Sequence, residues 1–470
     1  MLNRTSVILT TISWLTFSSI AFAQTQIKDA QGAWLGTMSI PNGPTLRVGV
    51  EVFKRANNEW GANVASLDQM SRYMTSDIAL QNNILTVQLR EAPIKITGQL
   101  SADGKTIAAE FTQGDNHWAL PLSKVTMLPQ INRAQTPTAI TTYNENEVRY
   151  VNSNDQTWLS GTLTTPKDNL RHPAVMLIAG SGPNQRDSYH NGHRPFKVLA
   201  DYLTKQGFVV LRADKRGVYQ SAGQFKEGDV HNFANDTQAA IQFLKTHDQV
   251  DANRIFLIGH SEGSFIAAMA ATIEKVQGVI SMAGPGMSTL DILLLQDQTE
   301  PAAKGATKAE TDVLLKFSQT FYRTVLSTTD EHKRKLELQA LYDNLTGSRA
   351  EIVNKWVAQQ GTLNVNLAAS NTFYLWLQQN PLDYWAKLAI PALLLNGDKD
   401  SQVPAQENIA GLANTLKNNK ISYQQYILPG LNHMFQDAQS GANDEYASIE
   451  ETINPKALDI IGQWLKQQTK

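Results

Sequence analysis

The hydrophobic pattern of this chain changes its period near residue 130, and the change divides the sequence into two parts. Between residues 24 and 130, apolar residues recur at every second position, as in "LRVGVEVF" at 46–53 and "ILTVQLRE" at 84–91. This alternation is typical of strands that bury one face. Asp103-Gly104, between two such runs, is a hairpin turn signal. We therefore predict a small all-β domain, a sandwich or a barrel, over residues 24–130.

After a segment rich in Pro, Thr and Asn at 131–145, which we interpret as a linker, apolar runs of strand length alternate with helical patterns. Strands that are apolar on both faces and alternate with helices indicate a mostly parallel, doubly wound sheet. The stretch from about 287 to 386 has helical patterns only. The prediction is an α/β domain over residues 146–470 that contains a helical cap insertion.

The first 23 residues have the form of a secretory signal peptide, with Arg4, an apolar stretch and a small-residue cleavage site. We expect cleavage near Ala23 and a periplasmic or secreted protein. No other stretch is apolar for long enough to span a bilayer, so stable membrane insertion is not expected.

The 470 residues include no cysteine, which excludes disulfides and a thiol nucleophile. A net charge of -2 gives no basic surface for nucleic acid, which leaves a small molecule as the expected partner.

The string "GHSEG" at 259–263 places Ser261 between two glycines. A G-x-S-x-G string alone is weak, but here an apolar strand precedes it and apolar residues follow it at helical spacing. At such a sharp turn, a Cβ at Gly259 or Gly263 would meet neighbouring backbone, and the serine is forced into unfavourable backbone angles. We predict that Ser261 is a nucleophile and not a helix-capping residue.

A serine hydroxyl needs a base, which an acid orients, and in this topology the chain order is serine, acid, histidine. His433 is the only histidine after residue 332, so it is the predicted base. The acid should follow the strand "ALLLNG" at 392–397, where Asp398 and Asp400 both qualify. The positions of these two aspartates do not show which of them is the acid.

Stabilising an oxyanion requires two backbone N–H groups. The residue after the nucleophile, Glu262, supplies one, and the loop "AGSGPNQRD" at 179–187 supplies the other through Ser181 or Gly182. No metal-ligand spacing such as H-E-x-x-H occurs, so neither a metal nor a cofactor is expected.

Five stretches, "AGSGPNQRD", "RADKRG", "GHSEG", "NGDKDSQVP" and "GLNHMF", resemble the α/β-hydrolase superfamily. Within it, the chain is similar to secreted bacterial serine esterases and related acyl hydrolases that have an N-terminal β-domain. The family's acid lies in a pattern of Gly, two residues, Asp, two residues and Val-Pro, which matches Gly397, Asp400, Val403 and Pro404 here. The resemblance therefore implies the α/β-hydrolase fold and selects Asp400 over Asp398.

One loop departs from the family pattern. Tyr219 stands where relatives usually have glycine, so the family pattern does not predict the backbone conformation of this loop. Arg216, in the same loop, is expected to anchor it through a carboxylate and not to contact substrate.

The leading hypothesis is hydrolysis of short-chain carboxylic esters through an acyl-enzyme intermediate, with Ser261, His433 and Asp400 as the triad. Two alternatives stand beside it. One is a serine peptidase of the aminopeptidase-like type, because fold does not fix the leaving group. The other is an inert periplasmic binding protein, which the presence of all three triad residues argues against.

Overall fold

The computed structural model describes residues 27–71, 74–90, 92–138, 142–226, 228–357 and 361–470. The predicted signal peptide at 1–23 lies outside these residues. The chain divides into two compact units, Met1–Ile131 and Asn132–Lys470. In the part of the chain that the structure describes, none of the helices combines the length and the apolar character that a membrane crossing needs.

The first unit is a closed antiparallel barrel in which each strand pairs with the next and the last pairs with the first. Inward-facing residues such as Trp34, Val50 and Leu120 are fully buried, as the period-two pattern predicts. Gly104 has a φ of 66° in the turn between the sixth and seventh strands, where glycine is favoured. The barrel alternative of the prediction is confirmed. Its strands are Gly32–Ser39 (β1), Thr45–Lys54 (β2), Trp60–Ser66 (β3), Met74–Gln81 (β4), Ile84–Leu89 (β5), Ile94–Leu100 (β6), Thr106–Gln113 (β7) and Asn116–Val125 (β8).

The second unit contains a mostly parallel sheet with the strand order β16-β15-β14-β13-β11-β12-β10-β9. Strands β11 to β16 pair in parallel, and only β9 and β10 are antiparallel to their neighbours. The predicted doubly wound sheet is confirmed. The strands are Tyr143–Asn152 (β9), Thr157–Pro166 (β10), His172–Ile178 (β11), Val209–Ala213 (β12), Val250–His260 (β13), Gly278–Met282 (β14), Ala392–Gly397 (β15) and Tyr423–Leu428 (β16).

Helices cover both faces of this sheet. Met176 and Leu257 face one buried cluster, and Val175 and Ile258 face the other, because successive strand residues point to opposite faces. One face packs on the helices Val230–Thr246 (α2), Glu262–Ile273 (α3) and Ala405–Asn418 (α11). The opposite face packs on Pro195–Thr204 (α1) and Pro455–Gln468 (α12).

Between β14 and β15 the chain forms the predicted helical insertion, which we call the cap. Phe317, Phe321 and Leu338 belong to its own buried cluster. Thr299 donates a hydrogen bond of 2.6 Å to the backbone oxygen of Ser401, in the loop after β15. The cap is therefore joined to the carboxyl edge of the sheet. Its helices are Thr289–Ala303 (α4), Lys308–Leu326 (α5), Glu331–Asp343 (α6), Gly347–Val357 (α7), Val365–Ala369 (α8), Asn371–Leu377 (α9) and Leu382–Trp385 (α10).

The sequence pattern did not predict β9 and β10, and β9 begins at Tyr143, inside the segment interpreted as a linker. The reason is composition. β9 is an edge strand with mostly exposed polar residues, and β10 buries threonines such as Thr162 and Thr164, which do not give the aliphatic run typical of a buried strand.

Candidate active site

The turn between β13 and α3 carries Ser261 in a strained conformation. Its φ of 56° and ψ of -127° are rarely adopted by residues other than glycine. Its backbone N–H donates to Met282 on the neighbouring strand at 2.8 Å, which holds the turn against the sheet. The hydroxyl makes no hydrogen bond with any residue that the structure describes, so it does not cap the helix.

Both glycines of the motif are required by close backbone contacts. A Cβ at Gly259 would lie 2.1 Å from the Gly263 oxygen, and a Cβ at Gly263 would lie 2.1 Å from the Ile178 oxygen. No side chain can be accommodated at such distances. The predicted steric reason for the two glycines is confirmed, and the second contact presses the serine turn against the end of β11.

Asp400 and His433 form a buried hydrogen-bonded pair at the carboxyl edge of the sheet. The Asp400 Oδ2 atom lies 2.8 Å from His433 Nδ1, and the two side chains are 0% and 4% exposed. The other carboxylate oxygen, Oδ1, accepts from the backbone N–H groups of Gln402 at 2.9 Å and Val403 at 2.8 Å. These contacts fix the carboxylate, and they explain why the acid precedes Val403 by three residues.

Asp398, the other candidate acid, does not contact His433. Its Oδ1 atom accepts a hydrogen bond of 2.7 Å from the backbone N–H of Gly430. The side chain thus joins the loop after β15 to the turn after β16. Between the two aspartates that spacing could not separate, the structure brings only Asp400 to the histidine.

His260 positions the loop that carries His433. Its Nε2 atom donates to the backbone oxygen of His433 at 2.9 Å, and the two rings lie 4.7 Å apart between centroids. Burial lowers the pKa of His260 to about 3, so the ring is neutral near pH 7. A Cβ at Gly397 would lie 2.0 Å from the Leu431 oxygen, so the end of β15 also approaches this loop closely. His433 is thereby held beside the residue that precedes Ser261.

The three candidate oxyanion donors lie around the same turn. Glu262 is the first residue of α3, where backbone N–H groups have no partner within the helix. Ser181 and Gly182 follow β11, and Gly182 has a φ of 87°. Among the described residues, none accepts a hydrogen bond from the N–H of any of the three. The structure leaves these groups available to a ligand.

The loop after β12 is anchored as predicted. Arg216 donates to Asp236 at 2.7 and 2.6 Å and to Asp155 at 2.8 Å. Tyr219, the departure from the family pattern, adopts a φ of 45°, in the region that favours glycine. Its ring packs under the Arg186 guanidinium at 5.4 Å, a contact that offsets part of this strain.

Helix α4 contains two buried acids, one of which interacts with the site. Burial raises the pKa of Asp297 to about 7, and the Asp297 carboxylate accepts a hydrogen bond of 3.0 Å from the Tyr322 hydroxyl. Burial also raises the pKa of Glu300, which interacts electrostatically with His433 and Asp400. In the part of the chain that is described, no three histidine, aspartate or glutamate side chains are grouped to hold a metal ion.

Sequence reasoning missed His260 and Arg186. Arg186 belongs to the same loop as Ser181. It pairs with the fully buried Asp214 at 2.6 Å and donates to Ser160 and Thr162 of β10 at 3.0 Å each. These contacts join residues 24 to 173 positions apart in the chain. No local pattern signals such contacts.

A model of a family described as the alpha/beta hydrolase fold matches residues 173–438 of this chain. The esterase EstD of Thermotoga maritima is 24% identical over 307 residues, which cover 65% of this chain and 65% of EstD. The chain thus spans about two thirds of the length of this curated relative.

Two solved structures are similar to parts of the chain at low identity. The Pyrococcus furiosus esterase Pf2001 is 16% identical, with a TM-score of 0.40, over 73% of this chain and 99% of its own. The Pyrococcus horikoshii acylaminoacyl peptidase is 13% identical, with a TM-score of 0.45, over 92% of this chain and 56% of its own.

Proposed function

The chain belongs to the alpha/beta hydrolase fold family, and from this premise we propose that it is a serine hydrolase that cleaves short-chain carboxylic esters. The observation that carries the proposal is the buried 2.8 Å hydrogen bond between Asp400 and His433, whose loop contacts His260, the residue before the strained Ser261. The name of the esterase EstD supports esters as the substrate class.

The chemistry starts with the tautomer of His433. Because Nδ1–H donates to the Asp400 carboxylate, Nε2 keeps its lone pair and can accept the serine proton. Asp400 then stabilises the imidazolium ion that forms. Among the described residues, no hydrogen bond joins the side chains of Ser261 and His433, and such catalytic contacts commonly tighten only in the Michaelis complex.

In the first half-reaction, Ser261 Oγ bonds to the ester carbonyl carbon while its proton passes to His433 Nε2. The carbonyl oxygen becomes an oxyanion, which the Glu262 N–H and an N–H of the loop after β11 stabilise. The positive end of the α3 dipole adds to this stabilisation. Collapse of the tetrahedral intermediate breaks the bond to the alcohol, which takes the proton from His433.

In the second half-reaction, a water molecule gives its proton to His433 and attacks the acyl carbon. The acid is released, and Ser261 recovers its proton. His433 and Asp400 serve both steps, so loss of either should slow acylation and deacylation alike, whereas no acyl-enzyme forms without Ser261.

The test is a panel of p-nitrophenyl esters from acetate to dodecanoate, with aminoacyl anilides assayed beside them. We expect the highest kcat/KM on the short esters, a burst of one nitrophenol per chain, and a loss of at least about 10³-fold in Ser261→Ala. Full activity of Ser261→Ala, or turnover of the anilides alone, would contradict the proposal.

We also propose that the protein is exported and that residues 1–23 are removed. Mass determination of the protein recovered from the periplasm or medium of an expressing bacterium should give a mature chain that begins at Gln24. A cytoplasmic protein that retains Met1 would contradict this prediction.

A further inference from the structure

Lys215 is a buried cation that the proposed mechanism does not use. It follows β12, and its side chain is 8% exposed. Its Nζ atom donates to the backbone oxygen of Gly180 at 2.5 Å and lies 3.4 Å from Glu262 Oε2. The Phe233 ring lies 4.7 Å from the same ammonium group, an arrangement that favours a cation. Burial lowers the pKa of Lys215, and the Glu262 carboxylate opposes this shift.

The two acceptors of Lys215 belong to the two backbone segments that contain the candidate oxyanion donors. Glu262 supplies the N–H after the nucleophile. The Gly180 oxygen and the Ser181 N–H belong to one peptide unit, and the described chain contains no cis peptide bond. In a trans peptide, the N–H points away from the C=O. An ammonium group on the Gly180 oxygen therefore directs the Ser181 N–H to the opposite side.

Gly180, the first residue of this peptide unit, packs against the nucleophile turn. A Cβ at Gly180 would lie 3.0 Å from Ser261 Cβ and 3.1 Å from the His260 oxygen, so this peptide is packed directly on the serine. Asn184 Nδ2 also donates to the Gly180 oxygen, at 2.9 Å. Hydrogen bonds to a peptide oxygen polarise the unit and make its N–H a stronger donor.

We propose that Lys215 is a positioning residue of the oxyanion hole, and that it aims the Ser181 N–H, which is the second donor in preference to that of Gly182. The inference rests on the proposed function. Lys215 acts through the backbone and does not touch substrate. By pairing with Glu262, it also sets the distance between the two donor segments.

The main test compares Lys215→Met with Lys245→Met. Lys245 is a matched control, because it forms an ion pair with Glu274 that lies outside the proposed machinery. We expect Lys215→Met to lower kcat on p-nitrophenyl acetate by about 10²-fold to 10³-fold with little change in KM, as for loss of one oxyanion donor. Lys245→Met should keep the wild-type kcat.

A second readout separates positioning from a structural role. A trifluoromethyl ketone adds to the serine and forms an oxyanion, so it resembles the transition state. Its Ki should rise in Lys215→Met by the same factor as kcat/KM falls, whereas the Ki of the product acid should change little. A kcat within about threefold of wild type, or equal losses for both inhibitors, would overturn the proposal.

The choice of Ser181 is tested by Ser181→Pro against Ser181→Ala. Proline removes the backbone N–H, and alanine keeps it. We expect kcat to fall about 10²-fold further in the proline variant than in the alanine variant, because only proline removes the donor. Equal kcat values in the two variants would overturn the assignment of Ser181.

If Lys215→Met does not fold, as judged by circular dichroism, Glu262→Gln takes its place, because it weakens the ion pair and keeps the Glu262 N–H. Its kcat should fall about tenfold, and an unchanged kcat would overturn the proposal. If the wild-type protein hydrolyses no ester, the proposed function fails. If it does so through Ser261 but is insensitive to these changes, only the inference about Lys215 fails.

Discussion

The barrel and the α/β unit differ in how deeply several of their charge pairs are buried. In the barrel, the ion pair of Arg47 with Asp68 and the hydrogen-bonded pair of His117 with Glu110 lie on the surface. In the α/β unit, the pairs of Arg186 with Asp214, Lys215 with Glu262, and His433 with Asp400 are largely buried. Burying a charge is costly even when it is paired. Two of these pairs contain the site residues Glu262 and His433, so we infer that they serve to position the site.

The barrel contains a buried cation of its own, Arg55, but its setting differs. Arg55 is 2% exposed and donates to the backbone oxygen of Ser76 at 2.9 Å. Burial lowers its pKa to about 10. It belongs to the barrel unit, whose buried cluster is aliphatic and aromatic. The comparison predicts that removal of a buried charge impairs turnover only in the α/β unit.

The largest effect should come from Asp400. We expect Asp400→Asn to lower kcat by about 10⁴-fold, because an amide would favour the wrong tautomer of His433 and could not stabilise its cation. Steady-state kinetics on p-nitrophenyl acetate measure this loss. Asp398→Asn is the matched control, since Asp398 only bonds the Gly430 N–H, and its kcat should stay within tenfold of wild type. A larger loss in Asp398→Asn than in Asp400→Asn would contradict the account.

The next effect is on stability. Arg186→Met should lower the free energy of unfolding of the α/β unit by about 3–5 kcal/mol, because it leaves the fully buried Asp214 without its partner. Urea denaturation followed by tryptophan fluorescence measures the change. An unaltered midpoint would show that this buried pair does not support the fold.

A third effect depends on pH. The folded state raises the pKa of Asp297 from 3.8 to about 7, so the folded protein holds a proton that the unfolded chain has lost. Stability conferred by this group is therefore present below about pH 4 and is lost as pH rises to about 7. The loss is at most about 4 kcal/mol, at 1.36 kcal/mol per pKa unit.

Asp297→Asn should remove this part of the pH dependence, because an amide is neutral throughout and can still accept from Tyr322. Chemical denaturation at pH 5 and pH 8 measures it. Asp312→Asn serves as the control, since Asp312 is exposed on α5 and pairs with Lys308. If both variants keep the wild-type pH dependence, Asp297 is not its source.

The smallest effect is expected in the barrel. Arg47→Met removes an ion pair whose side chains are 50% and 32% exposed, and such pairs contribute little because water screens them. We expect no measurable shift in the denaturation midpoint of the barrel. A shift as large as that of Arg186→Met would remove the contrast between the two units.

Local sequence patterns were enough to predict the elements that depend on residues close to one another in the chain. The strand, turn and helix around Ser261 follow from two glycines and an apolar run, and the barrel follows from period-two alternation. Edge strands such as β9 escape this reasoning, because a strand that exposes most of its residues does not alternate.

Contacts between distant loops could not be predicted from the sequence. Pattern alone left Asp398 and Asp400 equivalent, and only the family resemblance separated them. Lys215 and Gly180 are 35 residues apart, and His260 and His433 are 173 residues apart. Such contacts depend on the order of strands in the sheet, which a hydrophobic pattern does not specify.

The central claim is that His433, held by Asp400, activates Ser261. The most direct test is the rate of labelling by a fluorophosphonate in the wild type and in His433→Ala, with the modified residue located by mass spectrometry. The account predicts one label per chain on Ser261 and a rate at least about 10³-fold lower in His433→Ala. Absence of label, a label on another residue, or equal rates in the two proteins would contradict it.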